Sequence, residues 1–310
     1  MAVSPATAAD VSWKGGREAM TVEVIDPHGF CAGVTAALRK ALKLTAAEGP
    51  VYCLHELVHN EIVVGDLRRR GFVFVESVEE VPVGATVLFS AHGVAPAVRQ
   101  AAEARRLKVV DATCPFVERV HRAAHGFAVR GLPVVVIGNP AHAEVKGIVG
   151  EVGAGAVAVF DPHGAADFAW PGVRRVGVVS QTTMNADEVS AAVARLRRDF
   201  EVETTAEVCQ ATKVRQEAVR AFCRRRTEGG GDAAVLVLGS PNSSNTRRLC
   251  EIASAAGVRT FRAGTADEVR ALDLAGVTRL GVTSGASTPE DFFSSSVAAL
   301  EAVAAAGGRA

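Results

Sequence analysis

The chain has 310 residues, 48% hydrophobic and 5% aromatic, the profile of an ordinary α/β protein of two or three domains rather than of a disordered chain. Lysine plus arginine equals aspartate plus glutamate at 34 each, so no global positive field draws nucleic acid or an anionic membrane, and an anionic ligand must be met by a local site. Residues 1–20 hold no apolar signal core, no apolar run reaches bilayer length, and six widely spaced cysteines do not make a secreted disulfide framework. A cytoplasmic protein with a flexible tail over 1–20 and no nucleic-acid or membrane partner is expected.

The alternating run Thr21–Ile25 predicts a strand, and the pattern from Ala36 to Leu44 a helix. Between them, Gly29-Phe30-Cys31-Ala32-Gly33-Val34 is a strand-to-helix turn that sets Cys31 at a helix N-terminus, where the dipole favours thiolate. A strand over 51–54 carries Cys53, read as a small core hydrophobe, and runs into His55-Glu56-Leu57-Val58-His59-Asn60. That is an H-E-x-x-H match, and a zinc metalloprotease is the rival it raises. Zinc chemistry needs both histidines on one helical face, whereas here the amphipathic pattern begins only after Asn60, a candidate N-cap. Strands at 72–75 and 86–89 follow, then Ser90-Ala91-His92-Gly93, a helix, a strand at 107–110 and Asp111-Ala112-Thr113-Cys114-Pro115.

A helix over 116–130 and a strand over 134–137 lead to Gly138-Asn139-Pro140-Ala141-His142-Ala143-Glu144. The weakly patterned stretch 151–175 reads as short strands and loops, and the strand 176–179 ends at Gln181-Thr182-Thr183. Val208-Cys209-Gln210-Ala211-Thr212 again precedes a helix. Cys223 and Cys250 fall on helix faces, and the runs Arg68–Arg70 and Arg224–Arg226 read as solvated helix ends. After a glycine-rich stretch over 228–231, the strand 233–238 opens into Gly239-Ser240-Pro241-Asn242-Ser243-Ser244-Asn245, which has the features of an anion site or of a simple helix cap. A strand over 279–283, the loop Ser284–Thr288 and a helix over 290–305 end the pattern, leaving a tail over 306–310.

His59 lies 28 residues after Cys31, and His142 lies 28 after Cys114. With the repeated strand ends at Ser90, Ser180 and Ser284, this spacing predicts an α/β fold of three related modules, each with a small, mainly parallel sheet flanked by helices. The modules are expected over 32–114, 115–207 and 208–305, the last completed by 21–31. In parallel sheets functional groups collect at the carboxyl ends of strands, and three modules around a common axis would turn their cysteines, histidines and hydroxyls into one cavity. Three convergent thiolates can bind zinc, serve as a catalytic pair with a spare, or hold an iron–sulfur cluster; the residues alone leave these open.

Together, Gly29–Val34, His55–Asn60, Ser90–Val94, Ala112–Pro115, Gln181–Thr183, Cys209–Thr212, Asn242–Asn245 and Gly285–Ser287 resemble the motifs of the 4-hydroxy-3-methylbut-2-enyl diphosphate reductase (LytB) family. The resemblance runs from about residue 21 to 305. It implies three pseudo-threefold-related modules around a central 4Fe-4S cluster that reductively dehydroxylates the allylic diphosphate to isopentenyl and dimethylallyl diphosphates. Carried over by motif, Cys31, Cys114 and Cys209 are the expected iron ligands. His59, His92, His142, Thr183, Ser243, Ser244, Asn245 and Ser287 are the expected substrate-binding residues, and Glu144 and Thr182 the expected catalytic ones. The partners implied are the small allylic diphosphate and an electron donor of ferredoxin or flavodoxin type. His28 stands where the family usually has arginine, and Ala143 where it has proline. A paralogue that acts on another allylic diphosphate, or that senses iron or redox state, shares all these features.

Overall fold

Uninterrupted runs of valine, isoleucine and leucine mark strands covered on both faces, the condition under which parallel sheets form between helices. A computed structural model describes residues 20–44, 49–153, 156–162, 170–225 and 232–307. The tail expected over residues 1–20 lies outside these except for Met20, as do the glycine-rich stretch 228–231 and the last three residues.

Three modules are present, each a four-stranded parallel sheet. The first sheet contains β2 (Val51–Leu54), β3 (Phe72–Val75), β4 (Thr86–Phe89) and β5 (Lys108–Asp111) in the order β3-β2-β4-β5. The second contains β6 (Val134–Ile137), β7 (Val157–Phe160), β8 (Arg175–Ser180) and β9 (Glu201–Thr204) in the order β7-β6-β8-β9. The third contains β10 (Asp232–Leu238), β11 (Arg259–Ala263) and β12 (Val277–Ser284), and takes β1 (Thr21–Val24) as its fourth strand, in the order β11-β10-β12-β1. The order is the same each time: the second strand outermost, the first beside it, then the third, then an edge strand that precedes a cysteine. All the pairings are parallel, and β1 meets β12 in the register Thr21↔Arg279 to Val24↔Val282.

Ten helices are seen among the described residues: α1 (Ala32–Leu42), α2 (Glu61–Arg69), α3 (Pro96–Ala104), α4 (Pro115–Val129), α5 (Ala143–Val152), α6 (Ala186–Leu196), α7 (Gln210–Arg224), α8 (Ser244–Ala255), α9 (Ala266–Arg270) and α10 (Glu290–Gly307). None is long and apolar enough to cross a membrane. α1 begins at Ala32, directly after Cys31 and four residues earlier than its periodicity shows, because Ala32 and Gly33 carry no apolar signal. α10 runs to Gly307, two residues past its expected end. Two strands have no counterpart in the sequence reading, β9 with Glu-Val-Glu-Thr and β11 with Arg-Thr-Phe-Arg-Ala. Both are outer strands whose charged residues blunt an exposed edge, and that same polarity removes the apolar run by which a strand is recognised.

By contact the chain falls into two units. One holds the third sheet together with His59–Val63, and the other holds the first and second sheets. In the unit with two sheets, α4 lies on the second: Phe127 covers Gly177 of β8 so closely that a Cβ there would sit 2.4 Å from the ring. In the other unit Phe222 of α7 covers Gly281 of β12, where a Cβ would sit 2.6 Å from the ring. Phe127 follows Cys114 by thirteen residues and Phe222 follows Cys209 by thirteen, so the helix after each cysteine docks on its sheet by the same phenylalanine-on-glycine contact.

Gly177→Ala and Gly281→Ala are therefore expected to destabilise the protein by about 1–3 kcal/mol each through overpacking. Gly126→Ala, on α4 with nothing within 4 Å of its Cβ position, is expected to be neutral or to stabilise by up to ~1 kcal/mol. Urea unfolding of the three variants checks this, and equal effects at all three positions would contradict the contact.

Candidate active site

A helix begins with backbone N–H groups that no turn of the helix can satisfy, so the residue before it must supply an acceptor. The loops after β2, β6 and β10 each meet this need with a polar side chain. Asn60 Oδ1 accepts from the amides of Ile62 at 3.1 Å and Val63 at 3.2 Å. His142 Nδ1 accepts from Glu144 N at 3.2 Å, and Ser243 Oγ from Thr246 N at 3.3 Å. His59, His142 and Ser243 each stand five residues beyond the last residue of the strand before them.

In the unit with the first two sheets, Glu144 is 1% exposed in the first turn of α5. Its Oε1 accepts from the Thr182 amide at 2.7 Å, and its Oε2 from the Thr182 hydroxyl at 3.1 Å. Burial pushes the Glu144 carboxyl up to about 7, against the opposing pull of those two bonds. The Thr182 carbonyl then accepts from the Cys209 amide at 3.0 Å, so one threonine holds the buried carboxyl on one side and a cysteine turn on the other. Thr183 is held by Gln181, whose Nε2 donates to Thr183 Oγ1 at 2.9 Å while its Oε1 accepts from Asn139 N at 3.1 Å.

The His92 and His142 rings meet edge-on with centroids 5.5 Å apart, and His92 Nδ1 lies 3.2 Å from Ser90 Oγ. Because His142 Nδ1 accepts the Glu144 amide, the proton of the neutral ring is on Nε2. Beside this pair the Cys114 amide donates to the Ala91 carbonyl at 3.1 Å, fixing the second cysteine turn to the loop that bears His92. Asp111 braces that turn, accepting from Thr113 N at 2.8 Å and from Arg99 at 2.5 Å. Burial raises the Asp111 carboxyl, but the Thr113 bonds and the Arg99 charge outweigh it and hold the group below the usual carboxylate range.

In the unit with the third sheet, the turn into Cys31 is set by Gly29, whose φ of 66° suits glycine and whose amide donates to Ser284 Oγ at 2.8 Å. The Cys31 amide donates to Ala286 O at 3.1 Å, and Ala286 N donates to Asn245 Oδ1 at 3.0 Å. Thus each of the three cysteines hangs by its amide from the loop after the third strand of its sheet. Ser287 Oγ donates to His59 O at 2.9 Å, and Ser240 Oγ accepts from Glu61 N at 3.0 Å, joining the loops after β12 and β10 to the His59 segment. Ser243, Ser244 and Asn245 are buried at the start of α8. His28 stacks on Phe293 at 3.8 Å with Nδ1 2.8 Å from Asp26 and Nε2 3.3 Å from Glu290.

The residues expected from sequence therefore gather in two groups. Cys114, Cys209, His92, His142, Glu144, Thr182 and Thr183 belong to the unit with the first two sheets, and Cys31, His59, Ser243, Ser244, Asn245 and Ser287 to the unit with the third. Arg215 was not anticipated. Its guanidinium donates to the Gly29 carbonyl at 2.8 Å and to the His28 carbonyl at 3.3 Å, satisfying two carbonyls of the turn into Cys31. The signal for it was present: Arg215 falls on the stripe Thr212, Gln216, Val219, Phe222 and Cys223 that α7 buries.

All six cysteines are thiols. Cys53 is fully buried and its thiol is pushed up to about 12 by burial, and burial likewise takes Cys250 up to about 11. Cys31, Cys114 and Cys209 are only half-buried, and each immediately precedes a helix. The H-E-x-x-H reading fails on geometry: His55 has φ 58° and bonds Glu76 at 2.9 Å, and α2 begins at Glu61, so the two histidines do not share a helical face.

The family model described as LytB protein matches residues 22–301. The 4-hydroxy-3-methylbut-2-enyl diphosphate reductase of Ralstonia nicotianae is 42% identical, over 98% of this chain and 90% of its own. Among solved structures, the E-1-hydroxy-2-methyl-but-2-enyl-4-diphosphate reductase from Plasmodium falciparum superposes with a TM-score of 0.79 at 30% identity, covering 89% of this chain and 86% of its own. A second, (E)-4-hydroxy-3-methyl-but-2-enyl diphosphate reductase, described as the terminal enzyme of the non-mevalonate pathway, gives a TM-score of 0.62 at 32% identity over 91% and 99%. With three equivalent cysteine turns, one shared sheet order and a single family model spanning nearly all of its described length, the chain belongs to the LytB family.

Proposed function

We propose that this protein is a 4-hydroxy-3-methylbut-2-enyl diphosphate reductase. The reaction breaks an allylic carbon–oxygen bond with two electrons and two protons: the oxygen leaves as water, and the second proton ends on carbon to give isopentenyl or dimethylallyl diphosphate. The observation that carries this reading beyond family membership is the buried Glu144, held by the same threonine that fixes the Cys209 turn.

The donor set fits an iron–sulfur cluster. Cys31, Cys114 and Cys209 each stand one residue before a helix, whereas burial pushes the Cys53 and Cys250 thiols up, away from the thiolate that binds iron. Cys31, Cys114 and Cys209 would hold a 4Fe-4S cluster, which when bound supplies electrons singly and offers an iron without a thiolate ligand. An electron donor of ferredoxin or flavodoxin type would refill it.

The diphosphate is bound without a basic patch. His142 offers Nε2–H as a directed donor, His92 stands beside it, and His59, Thr183, Ser243, Ser244, Asn245 and Ser287 add hydroxyl, amide and ring donors at strand ends and helix starts. Glu144 manages the proton. Hydroxide is a poor leaving group, so a proton must reach the oxygen as the bond breaks, and a carboxyl that titrates near 7 still carries one at neutral pH. The Thr182 amide holds Oε1 in either protonation state. When Oε2 is protonated it donates to Thr182 Oγ, whose own proton then points onward, so the pair can pass a proton without moving heavy atoms.

Anaerobically prepared protein should carry about four irons per chain and turn over the allylic diphosphate; iron-loaded protein inert toward that substrate would overturn the reading in favour of a paralogue. Cys31→Ser, Cys114→Ser and Cys209→Ser should each lose the iron, while Cys53→Ala and Cys250→Ala keep it, as read by iron analysis and absorbance. Glu144→Gln should retain the iron and leave KM nearly unchanged while lowering kcat about 100-fold or more. In the native protein, kcat should fall as pH rises through about 7.

The same carboxyl leaves a mark on stability. Between its ordinary value of 4.5 and about 7 the folded state holds the Glu144 proton and the unfolded chain does not, so stability present below pH 4.5 is lost as pH rises through 7. Glu144→Gln should remove this loss, on the order of 3 kcal/mol, and flatten the pH dependence of urea unfolding. Identical slopes for variant and native protein would show that Glu144 is ionised in the folded state.

A further inference from the structure

α4 carries a histidine that the chemistry above does not use. His121 is 6% exposed on the stripe of Val117, Val120, Ala124 and Phe127 that the helix buries. Its Nδ1 lies 2.9 Å from Glu151 Oε1 at the end of α5, and its Nε2 has no hydrogen-bond partner among the described residues. With a carboxylate at Nδ1, that nitrogen bears the proton, and the bare Nε2 is the atom left facing Gly93 and Gly147. This is the cheaper way to bury the ring, since an orphaned N–H costs more than a lone pair in contact with carbon.

Two glycines make the slot. A Cβ on Gly93 would lie 2.9 Å from His121 Nε2 and 3.1 Å from Cε1; a Cβ on Gly147 would lie 2.9 Å from Cε1 and 3.1 Å from Nε2. Gly93 follows His92 in the loop after β4, and has φ 73°. Gly147 lies in α5, the helix that His142 caps and that carries Glu144. The loop and the helix touch through the slot as well, because the same Cβ position on Gly147 is 3.6 Å from the Gly93 carbonyl carbon. One flat ring is thus packed between the element that bears His92 and the element that bears His142, and the Glu151 bond fixes its rotation.

We infer that His121 is a positioning residue for the diphosphate site, setting the spacing at which His92 and His142 meet. The inference rests on the reading of those two histidines as diphosphate ligands, and adds that their 5.5 Å edge-on arrangement is imposed from below by a side chain that touches neither substrate nor iron. A leucine of similar volume fills the space but lacks both the flatness that two glycines require and the tie to α5.

The test measures affinity for inorganic diphosphate by anaerobic calorimetry on iron-loaded, full-length protein. The variants are His121→Ala, Gly147→Ala, their combination, and Val193→Ala as a control in the buried face of α6. His121→Ala and Gly147→Ala should each weaken binding about tenfold. The double variant should bind no worse than His121→Ala alone, because the added methyl no longer meets a ring. Val193→Ala should lower Tm comparably yet leave the affinity unchanged. Should His121→Ala fail to accumulate folded, Gly147→Ala against Val193→Ala carries the comparison. Native affinity in both site variants, or losses that track Tm as in the control, would overturn the positioning role alone. Failure of native protein to bind diphosphate would overturn the site reading and this inference with it.

Discussion

A carboxyl group buried from water with the amide and hydroxyl of one threonine as its donors cannot easily stay charged, and much of the second module is arranged around that fact. Removing the Glu144 carboxylate from solvent costs more than the two Thr182 bonds return, so the proton stays on to near neutrality. The contact also ties chain segments together. Thr182 uses its amide and hydroxyl on α5 and its carbonyl on Cys209, so the position of the acid and the position of a thiol are decided by the same residue. Gln181, fully buried behind it, extends the arrangement to Thr183 and to the backbone of the loop after β6.

Three sheets with one strand order place three loops of each kind at corresponding strand ends, and the chemistry differs through the side chains set there. The caps of α2, α5 and α8 are an amide, an imidazole and a hydroxyl. Asparagine and serine are ordinary caps, while histidine is not among the favoured ones. His142 accepts a helix amide with one nitrogen and so is left with a donor at the other. The helix start, which serves stability at Asn60, at His142 also fixes which ring nitrogen carries the proton. Protonating Nδ1 would cost that cap, so the neutral ring presents a directed N–H at Nε2.

The buried strands and the cysteine turns were legible because their signals are local. Val134–Ile137 is an unbroken apolar run, and Gly29 and Pro115 punctuate the turns at Cys31 and Cys114. β9 and β11 were not legible because an outer strand guarded by Glu201, Glu203, Arg259 and Arg262 looks like a loop. The role proposed for Glu144 was readable only through its motif. Its burial depends on Thr182, 38 residues away, and no local pattern reports such a contact. His55-Glu56-Leu57-Val58-His59 shows the opposite error, a spacing that imitates a helical metal site where the backbone turns with positive φ at His55. Arg215 and His121 share a subtler signal, a charged or titratable residue on the stripe its helix buries, which marks a side chain with a buried task.

The pairing of β1 with β12 has a consequence for how the chain is made. On the ribosome, Cys114 can be hung from Ala91 and Cys209 from Thr182 as soon as each emerges, because both acceptors lie upstream. Cys31 is synthesised before either, yet its anchors, Ser284 and Ala286, are translated more than 250 residues later. The first of the three thiols to leave the exit tunnel is therefore the last to be set in place, and assembly of any group that needs all three waits until the loop after β12 has been made.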